Sequence, residues 1–269
     1  MPEIIQQEYI VIKKTCTLTK EHYIDYAIFS AIPSELKFLR QHFLPYQYTN
    51  LKIENFNIKV FQYKNKKILF ASTGIGTTFA SSIVTLIHNY FHPTYMFFIG
   101  TAGGIKQGLK LKDVVIASRA FEAEIQEAFS LLKGTPFEEG LKHPLKKQMS
   151  FPIYDADQDL LNVARMINFS HRHIYFGTVV TTNTFPSPKE SFEKIKNKNP
   201  LSIDMETSAF YQIAWLLKIK ALAIRGISNL LDRDGTDEKT NESDVYGSTQ
   251  SAGEVLLQIL ELLISGHNR

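Results

Sequence analysis

Residues 200–229, PLSIDMETSAFYQIAWLLKIKALAIRGISN, decide the fold because they encode a strand, a helix and a second strand in direct succession. Short apolar runs predict strands at 200–204 and 220–227, and the longer run between them predicts a helix over 206–217. This unit is typical of α/β proteins with a largely parallel or mixed sheet. Polar side chains follow both strands, where open α/β sheets bind their ligands.

The same alternation of strands and helices extends from Tyr23 to the C-terminus. Predicted strands lie at 58–63 and 67–72 (a hairpin), 94–99, 113–118 and 173–181, and predicted helices follow Pro33 and cover 77–90, 155–168, 188–197 and the end of the chain from about Gln250. No linker divides the chain, so we expect an N-terminal extension over 1–22 and one α/β domain over 23–269. The proline-containing stretch 121–152 is too long for an ordinary connection, which predicts a lid or an interface element.

Composition excludes several classes of function. The 269 residues are 44% hydrophobic and 21% charged, which is ordinary for a globular protein, and the net charge of +3 comes from scattered lysines rather than from a nucleic-acid-binding patch. The N-terminus has no basic segment followed by a long apolar run, so we expect no secretory signal. The most apolar stretch, 209–227, is interrupted by charged residues, so we expect no membrane span. Cys16 is the single cysteine, which fits a reducing cytoplasm. No histidine or cysteine motif for a metal is present, and we expect neither a metal nor an organic cofactor.

Two glycine-rich segments follow predicted strands. Thr73-Gly74-Ile75-Gly76 precedes a helix, so its amides could face an anion or a sugar oxygen, although a plain tight turn explains it equally well. Gly100-Thr101-Ala102-Gly103-Gly104 leaves bare backbone on which a flat ligand could lie, and close packing of loops is the alternative.

The carboxylates have both structural and chemical interpretations. Glu35 and Glu206 each fall in the first turn of a predicted helix, where a negative charge complements the helix dipole. Asp204, at a strand end, can cap the helix that follows. Arg225 lies inside an apolar strand, and a buried guanidinium needs a carboxylate partner, for which Asp204 or Glu206 would serve.

Five blocks in this order resemble the nucleoside phosphorylase and nucleosidase superfamily, and within it the methylthioadenosine/S-adenosylhomocysteine nucleosidases. The blocks are AIFSAIPSEL (27–36), STGIG (72–76), IGTAGGI with LKDVVIAS (99–118), FGTVVTTNTF (176–185), and IDMETSAF with IRGISN (203–229). The resemblance implies a twisted, mixed, partly barrel-like central sheet flanked by helices. It also implies a cytoplasmic homodimer that hydrolyses purine nucleosides such as 5′-methylthioadenosine without a cofactor, and without nucleic acid or membrane as a partner.

The resemblance also implies roles for individual residues. Glu35 matches the glutamate that activates water, Glu206 the residue that binds the ribose hydroxyls, and Asn229 the position of the aspartate at the purine N7. The expected substrate-binding residues are Thr101, Ala102 and Gly103 beside the sugar and base, Phe185 stacking on the purine, Pro186 at the base edge, Asp204, Met205 under the ribose, Arg225, and Ser228 at the base.

Asn229 leaves alternatives open, because an amide donates a hydrogen bond to N7 but cannot deliver a proton. Asparagine here resembles purine nucleoside phosphorylases for 6-oxopurines and futalosine hydrolases, so a futalosine or 6-oxopurine nucleoside hydrolase or phosphorylase is the alternative function. Glu35 favours water as the nucleophile, and the first glycine turns carry no arginine for phosphate. A non-catalytic nucleoside-binding protein is the further alternative.

Overall fold

The computed structural model describes residues 10–11, 23–138, 153–169, 172–184, 189–231 and 242–266. Strands in this part of the chain are β1 (Ile10–Val11), β2 (Tyr26–Ser30), β3 (Tyr48–Ile53), β4 (Phe56–Tyr63), β5 (Lys66–Ser72), β6 (Tyr95–Gly104), β7 (Val114–Glu122), β8 (Ile153–Asp155), β9 (Ile174–Thr181), β10 (Ser202–Asp204) and β11 (Lys220–Leu230). Helices are α1 (Lys37–Phe43), α2 (Thr77–Phe91), α3 (Ala123–Leu132), α4 (Gln158–Arg165), α5 (Lys189–Lys196), α6 (Thr207–Leu217) and α7 (Glu242–Ile264), and a 3-10 turn (Pro33–Leu36) precedes α1.

The described strands form one mixed sheet that closes on itself at one end. Strands β6, β10, β9, β7 and β11 pair in that order, and β11 pairs again with β6, which makes a small barrel. The other arm runs from β6 through β2, β5, β4 and β3 to β1. The prediction of a mixed, partly barrel-like sheet flanked by helices is therefore confirmed.

The directions of the strands determine which sequence motifs lie next to each other. Strands β6 and β11 are parallel, so Arg225 pairs with Gly100, whereas β10 runs antiparallel to β6, with Ile203 opposite Gly103. The chain leaving β10 therefore runs back along β6 toward Gly100. This reversal brings the carboxylates after β10 to the middle of β11, rather than to a common edge of the sheet.

Several element predictions need correction. The predicted strand at 94–99 continues through the glycines to Gly104, and β3 was not predicted. Part of the stretch 121–152 is helix α3, and the rest beyond residue 138 lies outside the described residues. Helix α7 begins at Glu242, well before Gln250. Tertiary contacts support this early start, because Ser248 on α7 donates through Oγ to the carbonyl of Ile227 at 2.7 Å.

The core lies between the sheet and its covering helices. Side chains from β2, β5, β6 and β11 are almost completely buried, as are the inner faces of α2, α6 and α7. None of the helices within the described ranges combines the length and the apolar character needed to cross a bilayer.

Candidate functional site

The centre of the site is a buried group of three carboxylates and one guanidinium, Glu35, Asp204, Glu206 and Arg225, which we call the acid–arginine cluster. All four side chains are at least 94% buried. They come from four different elements: the 3-10 turn, the end of β10, the start of α6 and the middle of β11. Charged groups are almost never buried unless they are paired, so the pairing within the cluster determines its chemistry.

Arg225 holds the cluster together. Its Nη2 lies 2.7 Å from Oδ2 of Asp204 and 3.5 Å from Oε2 of Glu206, and its Nε donates to Oγ1 of Thr207 at 3.0 Å. The guanidinium also lies 4.7 Å from the ring centroid of Phe98. The prediction that Arg225 takes a carboxylate partner is confirmed. Its Nη1 is buried and makes no hydrogen bond within the described residues.

Asp204 combines the ion pair with a cap for helix α6. Its carboxylate accepts from the amide of Thr207 at 3.2 and 3.3 Å and from Oγ1 of Thr181 at 2.7 Å. The hydroxyl of Thr207 also donates to it. The predicted capping role is confirmed, and this fixed carboxylate in turn fixes Arg225.

Glu206 has a strongly perturbed ionisation equilibrium. Burial raises the pKa of Glu206 from 4.5 to about 7, although Arg225 and the hydrogen bond from the Gly76 amide lower it. Repulsion from Asp204 and Glu35 contributes to the same increase. Gly76 donates to Oε1 at 3.1 Å from a backbone conformation, φ 100°, that favours glycine. Glu206 can therefore exchange a proton near neutral pH.

Glu35 approaches the cluster across β6. Its Oε2 accepts from the amides of Ala31 and Ile32 at 3.0 and 3.2 Å, and its Oε1 accepts from the amide of Thr101 at 2.9 Å. A Cβ at Gly100 would lie 2.7 Å from this Oε1 and 2.6 Å from Nη1 of Arg225. A side chain at position 100 would collide with both charged groups, which explains why this residue is glycine.

A β-bulge orients Ser228 and Asn229. Ile227 pairs with Ala102 and Asn229 with Gly103, so Ser228 is an extra residue in β11. Side chains of neighbouring strand residues normally point to opposite faces, yet Oγ of Ser228 donates to Oδ1 of Asn229 at 3.0 Å. The bulge makes this contact possible. Nδ2 of Asn229 is buried without a hydrogen-bond partner in the described part of the chain.

The structure brings most of the predicted site residues together. Thr101, Ala102 and Gly103 lie along β6 between Glu35 and Asn229, and half-buried Met205 lies between Asp204 and Glu206 in the chain. Phe185 and Pro186 lie outside the described residues. Sequence reasoning did not identify Asn183, whose side chain contacts the start of α2. The only signal for it was its position two residues after the end of a predicted strand, in a run of polar residues.

The fold and the cluster define an α/β protein in which buried charged groups lie against the glycine-rich strand of a partly closed sheet. The chain belongs to the phosphorylase superfamily, whose family model matches residues 25–265.

Individual relatives have different activities. The chain is 30% identical to a DeoD-type purine nucleoside phosphorylase of Buchnera aphidicola, over 68% of this chain and 72% of the relative. It is 26% identical to a 5′-methylthioadenosine/S-adenosylhomocysteine nucleosidase of Staphylococcus carnosus, over 74% and 83%. The structure of a futalosine hydrolase from Helicobacter pylori superimposes with a TM-score of 0.75 at 17% identity, over 90% of this chain and 99% of the other.

Proposed function

We propose that this protein hydrolyses the N-glycosidic bond of purine nucleosides of the 5′-methylthioadenosine/S-adenosylhomocysteine type, releasing the free base and the sugar. The observation that carries the proposal is the approach of Glu35 and Arg225 to Gly100: a Cβ added there would lie 2.7 Å from Oε1 and 2.6 Å from Nη1, so these two atoms are close enough for one water molecule to contact both. A carboxylate oxygen can accept a proton from water, and Nη1 of Arg225, which has no hydrogen-bond partner in the described ranges, can donate to the same water oxygen. The two groups suit a water nucleophile.

In the proposed reaction, the water oxygen bonds to the anomeric carbon while its proton passes to Glu35. The carbon–nitrogen bond breaks, and its electron pair leaves with the base. Positive charge that builds on the sugar is stabilised by the buried carboxylates, of which Glu206 also binds a sugar hydroxyl. General base catalysis of this kind contributes about 10²–10⁴-fold.

Water is favoured over phosphate by the charges around the site. A phosphate dianion needs several cationic donors, but the segments 30–35 and 72–77 contain neither Arg nor Lys. Arg225 is already paired with Asp204 at 2.7 Å. Because one relative is a phosphorylase, the dependence on phosphate is the first property to measure.

The amide nitrogen of Asn229, which has no hydrogen-bond partner among the described residues, favours a second candidate substrate, a futalosine or 6-oxopurine nucleoside. Its Oδ1 accepts from Ser228, so its Nδ2 is the group presented to a ligand. An N–H donor complements N7 and a 6-oxo group, whereas a 6-amino group requires an acceptor. The departing base then takes its proton from solvent.

The test is turnover of methylthioadenosine, S-adenosylhomocysteine, inosine and futalosine, each with and without phosphate. We expect free base and free sugar without phosphate, and a loss of about 10²–10⁴-fold in kcat for Glu35→Gln. Unchanged turnover in both Glu35→Gln and Glu206→Gln would contradict the mechanism. Tight nucleoside binding without turnover would instead support a non-catalytic binding protein.

The base preference has its own experiment. Asn229→Asp supplies an acid and an acceptor oxygen, so we expect it to raise methylthioadenosine turnover relative to inosine. Asn229→Ala is the matched control, because it removes the amide without adding either group. Equal preference ratios in wild type and Asn229→Asp would remove the argument for a 6-oxopurine.

We also propose that the protein works as a homodimer in the cytoplasm. Ile75 and Phe79, which flank Gly76 in the chain, are 53% and 59% exposed, and large exposed apolar side chains suit a subunit contact. Sedimentation equilibrium should give twice the chain mass. A monomer at all concentrations would contradict this assignment.

A further inference from the structure

We infer that Asn183 is a positioning residue for the sugar half of the site: it caps helix α2 from the segment after β9 and so holds the Gly76 amide against Glu206. The catalytic consequence rests on the proposed function, whereas the effect on Glu206 does not. Asn183 follows β9, is exposed, and contacts neither Glu206 nor Arg225. Its action is therefore indirect.

Helix α2 depends on another element for its first hydrogen bonds. Its N-cap residue is Gly76, which has no side chain to accept from the free amides of the first turn. Oδ1 of Asn183 accepts from the amide of Thr77 at 3.0 Å and from its Oγ1 at 3.2 Å. Asparagine is among the best capping residues, and here it acts across tertiary structure.

The cap is itself held in place by two carboxylates. The backbone amide of Asn183 donates to Oε1 of Glu124 at 2.9 Å, and its Nδ2 donates to Oε1 of Glu122 at 3.3 Å. Nδ2 also donates to Oγ1 of Thr77 at 2.9 Å. Because a carboxylate only accepts hydrogen bonds, Nδ2 is the atom that faces Glu122, which leaves Oδ1 to accept from the backbone amide of Thr77.

The link to the cluster passes through one peptide unit. Thr77 directly follows Gly76, whose amide donates to Oε1 of Glu206 at 3.1 Å. If the first turn of α2 loosens, this donor moves and the charged form of Glu206 loses a stabilising hydrogen bond. The other charged groups facing Glu206 are Arg225 from β11, Asp204 from β10 and Glu35 from the 3-10 turn.

The experiment compares Asn183→Ala with a cap of the same chemistry elsewhere. Asp157 caps α4 by accepting from the amide of Leu160 at 3.0 Å, so Asp157→Ala is the matched control. The first readout is the titration of Glu206 in ligand-free protein, followed by carboxyl ¹³C NMR and assigned with Glu206→Gln. We expect Asn183→Ala, but not Asp157→Ala, to move this titration to higher pH.

The second readout is the pH profile of kcat/KM with the best nucleoside. Loss of a helix cap changes the equilibrium for forming the helix end by about two- to thirtyfold, so we expect kcat/KM to fall by that factor in Asn183→Ala. The part of the pH profile that reports the ionisation of Glu206 should move to higher pH. Asp157→Ala should leave both unchanged.

A compensating pair guards against a variant that fails to fold. Asn183→Asp keeps an oxygen for Thr77 but sets a carboxylate against Glu122, and adding Glu122→Gln restores a donor–acceptor pair with the original net charge. We expect Asn183→Asp alone to move the Glu206 titration to higher pH and to lower kcat/KM. The double variant should bring both quantities back toward their wild-type values. An unshifted Glu206 titration in both Asn183→Ala and Asn183→Asp would overturn the inference, as would an equal shift in Asp157→Ala. A wild type that cleaves no nucleoside would refute the proposed function, and the NMR titration would still decide the role of Asn183.

Discussion

Replacement of Glu206 by glutamine should stabilise the protein at high pH while removing the proposed sugar contact. Glu206 is 4% exposed and lies 3.5 Å from Arg225, which remains paired with Asp204 without it. Glutamine keeps an oxygen for the Gly76 amide and removes the buried charge. The substitution therefore isolates the cost of ionising this carboxyl group inside the cluster.

The magnitude follows from the pKa of Glu206, which burial raises from 4.5 to about 7. Because the folded-state pKa lies above the unfolded value, the folded protein binds more protons between these pH values, and its stability falls as pH rises through that window. The full penalty above the window is roughly 3 kcal/mol. Between pH 5 and pH 8 the linkage relation gives roughly 2–3 kcal/mol.

The assay is urea unfolding of wild type and Glu206→Gln at pH 5 and pH 8. We expect the free energy of unfolding of Glu206→Gln to gain on that of wild type by roughly 2–3 kcal/mol between these pH values. Glu193→Gln, on the exposed face of α5, is the control and should stay within about 0.5 kcal/mol of wild type at both. If the difference between wild type and Glu206→Gln were the same at both pH values, or moved the other way, the reasoning would be refuted.

Two further substitutions test packing away from the charges, with thermal and urea unfolding as the measurement. A Cβ at Gly226 would lie 2.0 Å from the carbonyl oxygen of Ser248, so Gly226→Ala should cost about 3 kcal/mol or more, whereas Gly247→Ala meets only a flexible lysine end and should be nearly neutral. Equal losses in the two alanine variants would contradict this. The buried hydroxyl of Tyr211 accepts from the amide of Ala223 at 2.8 Å and donates to a carbonyl on β7 at 2.6 Å. Tyr211→Phe should therefore cost about 1–3 kcal/mol, and a loss near zero would count against the bridge.

Local sequence patterns predicted much of the fold. The antiparallel pairing of β4 with β5 confirms the predicted hairpin, and α2 (Thr77–Phe91) nearly matches the predicted 77–90. Prediction failed where tertiary contacts outweigh local preference. The start of α7 is rich in Ser and Gly, which are poor helix formers, and its packing against β11 compensates for them.

Part of the chemistry of the candidate site was also predictable from the sequence. A buried arginine must be neutralised wherever it lies, so the sequence alone required a carboxylate for Arg225, and Asp204 provides it. No comparable rule connects Glu35 to Gly100 or Asn183 to Thr77. Those contacts join segments far apart in the chain, and strand periodicity does not reveal which strands are neighbours.

By itself, then, the sequence determined the kinds of elements, the residues at their ends and the need to pair Arg225. Only the tertiary structure decided that β10 runs antiparallel to β6, which carries Asp204 and Glu206 back to Gly100. It also decided that an extra residue at Ser228 brings the side chains of Ser228 and Asn229 into contact. The physical reason is that strand direction and register depend on how distant segments pack, whereas a two-residue repeat specifies only which face of a strand is buried.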